Sequence, residues 1–174
     1  MSNRLGIAVA ITIVVIVLAV IGVLTMRGMV DDIAAPIEIE GIDTSTPIND
    51  GPFTGFTQTQ ISLAEQCLDV IVADETSERS QGLRGVESLA GFDGMLFVNP
   101  TDVESRFTMS TVIIPLDVGW YDADGVPVGT AEMDPCPTGT DAECPTYGPD
   151  ERYRYALETM SGGLGSGPIG GCTS

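Results

Sequence analysis

Lysine and histidine are absent from this chain of 174 residues. Seven arginines carry all of its basic side-chain charge against 25 acidic residues, for a formal net charge of −18. Without histidine there is no Ser-His or Cys-His nucleophilic machinery and no imidazole to hold a metal. Without lysine there is no Schiff-base chemistry. What remains is carboxylate chemistry, tyrosine and arginine electrostatics. The excess of acid repels phosphate backbones, because nucleic-acid binding runs on neutralisation by Lys and Arg. It repels anionic headgroups as well, so nucleic acid is not an expected partner and the polar part should stand off a membrane surface. The acidity reads either as a solvated surface that maintains solubility, or as divalent-cation binding or adaptation to a salty exterior.

The four cysteines contain no C-x2-C pair, so a four-thiolate zinc site lacks its usual spacing. An even count in an oxidising compartment reads as disulfides. Cys136 and Cys144 flank a short, turn-rich loop whose closure is worth about 2.5 kcal/mol in the chain-entropy model. Cys67 and Cys172 would then tie the start of a domain to its end.

Charge is also missing from Gly6 to Met26, where only Thr12 and Thr25 are clearly polar. About 20 apolar residues suffice to cross a bilayer core. Arg4 before the run favours a cytoplasmic N-terminus, residues 1–5. The expectation is a single transmembrane helix over 6–26 in the cell membrane, with the lipid bilayer as partner and everything after it extracytoplasmic. A cleaved signal peptide is the alternative, but the run is longer than the usual apolar core, and Ala34-Ala35 lies past two aspartates. Residues 27–60 carry several Pro, Gly and Thr without periodicity, which predicts a flexible tether, with a short strand possible at Ile37–Ile39.

Residues 61–174 are long enough for one core. Leu68–Val72 alternates and is β-branched, a strand pattern. Asp74–Gln81 reads as a short helix, with Asp74 or Thr76 as cap, Glu75 and Glu78 in the positive first turn, and Gly82 as stop. Strands follow at Met95–Val98 and, more weakly, Arg106–Met109. Leu116–Tyr121, a turn at Asp122–Gly125 and a return over Val126–Met133 form the clearest hairpin. Tyr153, Tyr155 and Leu157 alternate with Arg152, Arg154 and Glu158, which predicts a strand with one polar face. The Gly- and Ser-rich tail from Ser161 to Ser174 reads as loose. The sum is a mainly β (α+β) architecture with antiparallel strands and one short helix.

Two motifs fail on context. Gly165-Ser-Gly167-Pro-Ile-Gly170 matches G-x-G-x-x-G, but Pro168 interrupts it and no helix can follow. Asp122-x-Asp124 imitates a calcium loop, but Val126, Pro127 and Met133 occupy positions that need other residues. Nothing in the chain calls for a cofactor.

Val72-Ala-Asp-Glu-Thr-Ser-Glu-Arg79, Gly82-Leu-Arg-Gly85 and Gly94-Met-Leu-Phe97 resemble blocks of an uncharacterised prokaryotic family, domain of unknown function 192. Arg106-Phe-Thr-Met109, Ile114-Pro-Leu-Asp117 with the hairpin after it, Pro135-Cys136-Pro, Cys144-Pro-Thr-Tyr147 and Tyr155-Ala-Leu-Glu158 continue the likeness across residues 68–160. It departs at Arg84, where the family has Met, and at Val86, where it has Arg. The terminal Gly170-Gly-Cys-Thr-Ser174 also replaces a Gly-Asp strand, so a short or missing last strand is expected. The resemblance implies a compact, barrel-like β domain, often exported or anchored, and no reaction, substrate or cofactor.

The functional expectation is a binding or accessory module at the cell envelope. Its partner would be a small molecule or an envelope protein, met through Arg84, Arg106, Met109, Asp117 and Glu158. These residues fall in the family-like blocks and carry directional polarity or soft contact. A rival reading is a hydrolase using Asp117 and Glu158, which requires the two carboxyls to converge within about 5–10 Å. A third is a weak divalent-cation module. Simple ion pairing of these carboxylates with Arg84, Arg106, Arg152 or Arg154 is the plainer account.

Overall fold

The computed structural model describes residues 46–172. The anchor expected at 6–26, the residues before it, the tether up to 45 and the strand expected at Ile37–Ile39 lie outside the described residues. Among the described residues no helix is long and apolar enough to cross a membrane.

The elements run β1 (Thr46–Pro47), β2 (Thr57–Leu63), β3 (Gln66–Ala73), α1 (Thr76–Gln81), β4 (Gly94–Val103), β5 (Phe107–Thr108), β6 (Leu116–Tyr121), β7 (Pro127–Met133), β8 (Thr146–Tyr147), β9 (Tyr153–Met160) and β10 (Ile169–Gly171). Eight strands form one sheet in the order β1-β2-β3-β4-β9-β6-β7, with β10 also paired to β2, while β5 and β8 form a separate ribbon. Every pairing of named strands is antiparallel except β3 with β4, whose crossover carries α1.

Helix α1 is capped at Glu75 rather than at Asp74 or Thr76. The Glu78 carboxylate turns back to accept the backbone N–H groups of Glu75 (3.0 Å) and Asp74 (3.1 Å), which satisfies two donors that the helix itself cannot. Gly82 ends the helix at φ +47, a conformation that costs glycine little. The β6–β7 turn is organised by Asp122. Its Oδ1 accepts from the N–H groups of Asp124 and Val126, both at 2.9 Å, so the Asp-x-Asp pair is a turn device.

The sheet is buried on both sides. One face packs Ile71, Met95, Phe97, Val118 and Trp120 against Phe53, Phe56, Leu83 and Leu89 from the loops. The other packs Val70, Leu96, Tyr155 and Leu157 against Ile61, Leu63 and Ile169. A strand covered on both faces cannot keep a solvent side. This corrects the polar face expected for β9, where Tyr153 and the residues from Tyr155 to Thr159 are all buried.

Three further expectations change. The domain begins before residue 61: Phe53 and Phe56 are buried and β2 starts at Thr57, so the second half of the supposed tether belongs to the core. The tail is not loose, because β10 pairs with β2 and Ile169 is 3% exposed. The last strand is therefore short, not missing. No barrel closes among the described residues either. Among them β7 pairs only with β6, and the approach of the tail to the β6–β7 turn is one hydrogen bond, Ile169 N–H to the Gly125 carbonyl at 2.9 Å. A three-residue β10 with two glycines is too short to extend that contact into a ladder.

Both disulfides form, Cys136–Cys144 and Cys67–Cys172, with Cα separations of 6.0 and 5.8 Å, so no thiolate remains to hold zinc. Gly94, where β4 meets β9, has no room for a side chain. A Cβ there would lie 2.6 Å from the Glu158 carbonyl. Because backbone cannot yield as a side chain can, Gly94→Ala should cost about 1–3 kcal/mol, read as a lower urea midpoint at unchanged m-value.

Candidate functional site

A cavity of about 600 Å³ is lined from α1 and the turn after it, from β4 and β5, and from Tyr153 and Glu158 on β9. Arg84, Arg106 and Glu158, which the sequence singles out, all line it. Met109 and Asp117 do not. Met109 is 1% exposed and packs in the core. Asp117 lies on the other side of the sheet, its Oδ2 accepting the Gly162 N–H at 2.7 Å while Oδ1 is left without a partner.

Strand register explains this separation. Val118 pairs with Glu158, and Asp117 with Thr159. Directly paired residues share a face and neighbours alternate, so Asp117 and Glu158 point to opposite sides of the sheet. The convergence that a two-carboxylate hydrolase needs does not occur between them.

Glu158 shares its face with Met95 and Val118, its cross-strand partners on β4 and β6. It is 5% exposed, and among the described residues no hydrogen bond or ion pair reaches its carboxyl. Removing a carboxylate from water without a donor disfavours the charged form, and burial pushes this group up to about 8.

The basic side chains around the cavity contrast with the chain as a whole. Three of the five arginines in the described residues, Arg79, Arg84 and Arg106, line it. Arg84 donates to the Ser110 carbonyl at 2.6 Å and pairs with Asp141 at 3.0 Å. Hydrogen bonding from Arg84, then from Ser110, holds the Asp141 carboxyl below its usual range. Arg106 has no carboxylate partner among the described residues; its Nε and Nη2 donate to the hydroxyl and carbonyl of Thr146 at 3.2 and 3.1 Å. Arg79 likewise meets only oxygen acceptors of neutral groups, the carbonyls of Asp74 and Val98 and the Thr76 hydroxyl. The remaining two arginines form ion pairs away from the cavity, Arg152 with Glu104 and Arg154 with Asp102. Ion pairing thus accounts for Arg84, Arg152 and Arg154, but not for Arg106, Asp117 or Glu158.

Part of the wall is apolar. Phe97 and Phe107 meet edge to face at 5.0 Å, and Leu83 and Val112 add aliphatic surface. The Tyr153 hydroxyl donates to the Ser105 carbonyl at 2.9 Å. Among the described residues, no group of three or more Cys, Asp or Glu side chains is placed to hold a metal ion.

The sequence pattern of domain of unknown function 192, described as an uncharacterized ACR, matches residues 57–166. The chain belongs to this family. A structure of a protein of unknown function from Novosphingobium aromaticivorans is similar at a TM-score of 0.56 and 17% identity, covering 78% of this chain and 96% of that one. A putative transcription regulator from Sinorhizobium meliloti follows at 0.52 and 23%, covering 63% of this chain and 87% of that one. At these identities the likeness establishes the fold alone. No curated protein matches the chain.

Within the domain of unknown function 192 pattern the two departures now have a place. Val86, where the family carries arginine, is buried in the core, while Arg84 two residues earlier lines the cavity. Arg79 and Asp141 were not singled out from sequence. With so few arginines on the domain, each one was informative, and Arg79 lies in a family-like block. Nothing local marks Asp141, whose position depends on a disulfide-closed loop folding back on Arg84.

Proposed function

We propose that this domain of unknown function 192 protein is a binding module of the cell envelope, held by an anchor at residues 6–26, that takes a small organic anion in the cavity lined by Arg84, Arg106 and Glu158. One observation carries the reading. Arg106 borders a cavity with no carboxylate partner among the described residues, on a chain with 25 acidic residues. A guanidinium so placed is suited to a planar anion arriving from outside, which it can grip with two parallel N–H donors. The phenyl rings behind it supply area for the apolar body of the ligand.

The binding reading does not extend to nucleic acid, although one structural neighbour is titled a putative transcription regulator. A net charge of −18 opposes that contact. An envelope protein remains the alternative partner.

Thermal-shift titration of the oxidised full-length chain against carboxylates, sulfates and phosphates tests the proposal. A ligand at 100 times its Kd adds about 2.7 kcal/mol. Arg106→Gln should weaken the best anion about tenfold or more, because a charge-assisted pair is lost. If no anion shifts the transition, or if Arg106→Gln leaves the best one unaffected, the proposal fails.

A further inference from the structure

We infer that the ligand is a zwitterion of amino-acid type, its carboxylate at Arg106 and its ammonium on Glu158. This rests on the binding reading above and adds the second charge. The cavity is polarised. Its outer part carries guanidinium groups, with the Arg84 side chain 31% exposed. Its inner part carries the Glu158 carboxyl, 5% exposed and without a donor. The edge-to-face pair Phe97 and Phe107 lines the same cavity. An anion alone would satisfy Arg106 and leave Glu158 unpaired. A ligand that also carries an ammonium supplies the missing donor, and its carbon frame meets the aromatic wall.

The charged and titratable groups facing this cavity are Arg79 and Arg84 from α1 and the turn after it, Arg106 beside β5, Asp141 from the disulfide-closed loop and Tyr153 on β9. β4 and β6 face Glu158 with Met95 and Val118, which do not titrate. Near pH 7 the raised Glu158 carboxyl holds its proton. Docking of an ammonium favours the carboxylate, so that proton passes to solvent and the ion pair forms in its place.

Isothermal titration of the oxidised full-length chain at pH 7, in two buffers of different ionisation heat, tests this with three probes. L-Phenylalanine carries both charges, 3-phenylpropionate lacks the amine, and phenethylamine lacks the carboxylate. Phenylalanine should bind at least tenfold tighter than either analogue and release about one proton, as linkage to a raised carboxyl requires. Glu158→Gln should abolish the proton release and bring phenylalanine down to the level of 3-phenylpropionate. Equal or tighter binding of 3-phenylpropionate overturns the zwitterion and leaves the anion site standing. A phenylalanine preference that survives Glu158→Gln overturns the role of Glu158. Binding of none of the three overturns the zwitterion and leaves the anion site to the titration above.

Discussion

Replacing Glu158 with Gln should make the protein more stable at pH 8 and remove much of the dependence of its stability on pH between about 5 and 8. The ordinary value for this carboxyl is 4.5, and burial raises it to about 8 in the folded chain. The unfolded chain therefore gives up the proton first, and folding at intermediate pH takes a proton up. The contribution of the group is fully present below 4.5 and is lost as pH rises through about 8. Across that window stability falls by on the order of 1.4 kcal/mol per pH unit. Glutamine keeps the shape and cannot ionise, so its curve should be flatter and should lie above the wild type at the alkaline end. Asp141 and Glu143, both held below the usual carboxylate range, act in the opposite sense and only in more acidic solution. Urea midpoints at pH 5, 6.5 and 8 decide the matter. Parallel slopes for the two proteins would mean that Glu158 is ionised in the native state.

The second large effect belongs to Cys67–Cys172. It closes a loop of 105 residues, whereas Cys136–Cys144 spans 8. The chain-entropy model assigns about 4.7 kcal/mol to the longer loop and about 2.5 kcal/mol to the shorter. The long bridge also holds β10 beside β2, a strand of three residues that has few hydrogen bonds of its own. Cys67→Ala with Cys172→Ala should therefore lower the thermal midpoint more than the equivalent change at Cys136 and Cys144. It should also speed hydrogen exchange at Ile169 and Gly171 relative to the centre of β9. Equal losses from the two double variants would contradict this, and so would unchanged exchange at β10.

Strands with strong local patterns were legible in the sequence. Leu68–Val72, Met95–Val98 and Leu116–Tyr121 lie within β3, β4 and β6, and Gly82 ends the helix as expected. Strand β2 was missed because Thr57, Gln58, Thr59 and Gln60 carry no apolar alternation; their order comes from the β3 ladder beside them. Strand β10 was missed for the same reason, since its pairing and its disulfide are both long-range. The reading of β9 failed in an instructive way. Alternation assigned Glu158 to solvent, but a central strand has none, and the residue became a buried carboxyl in a cavity. Three of the five candidate site residues came together because their blocks lie around one end of the sheet. Asp117 was separated from Glu158 by one step of register, which no single sequence reveals.

The two edges of the sheet differ in what a protease would find there. Strand β2 carries both β1 and β10 on its outer side, and Cys67 is bonded to Cys172 close by. Every peptide bond between these two cysteines thus lies inside a covalent ring. A single cut in any loop of that ring, including those around the cavity, opens the ring without releasing a fragment. One nick would leave all the walls of the cavity attached to the same molecule, and a second would be needed before any of them could diffuse away.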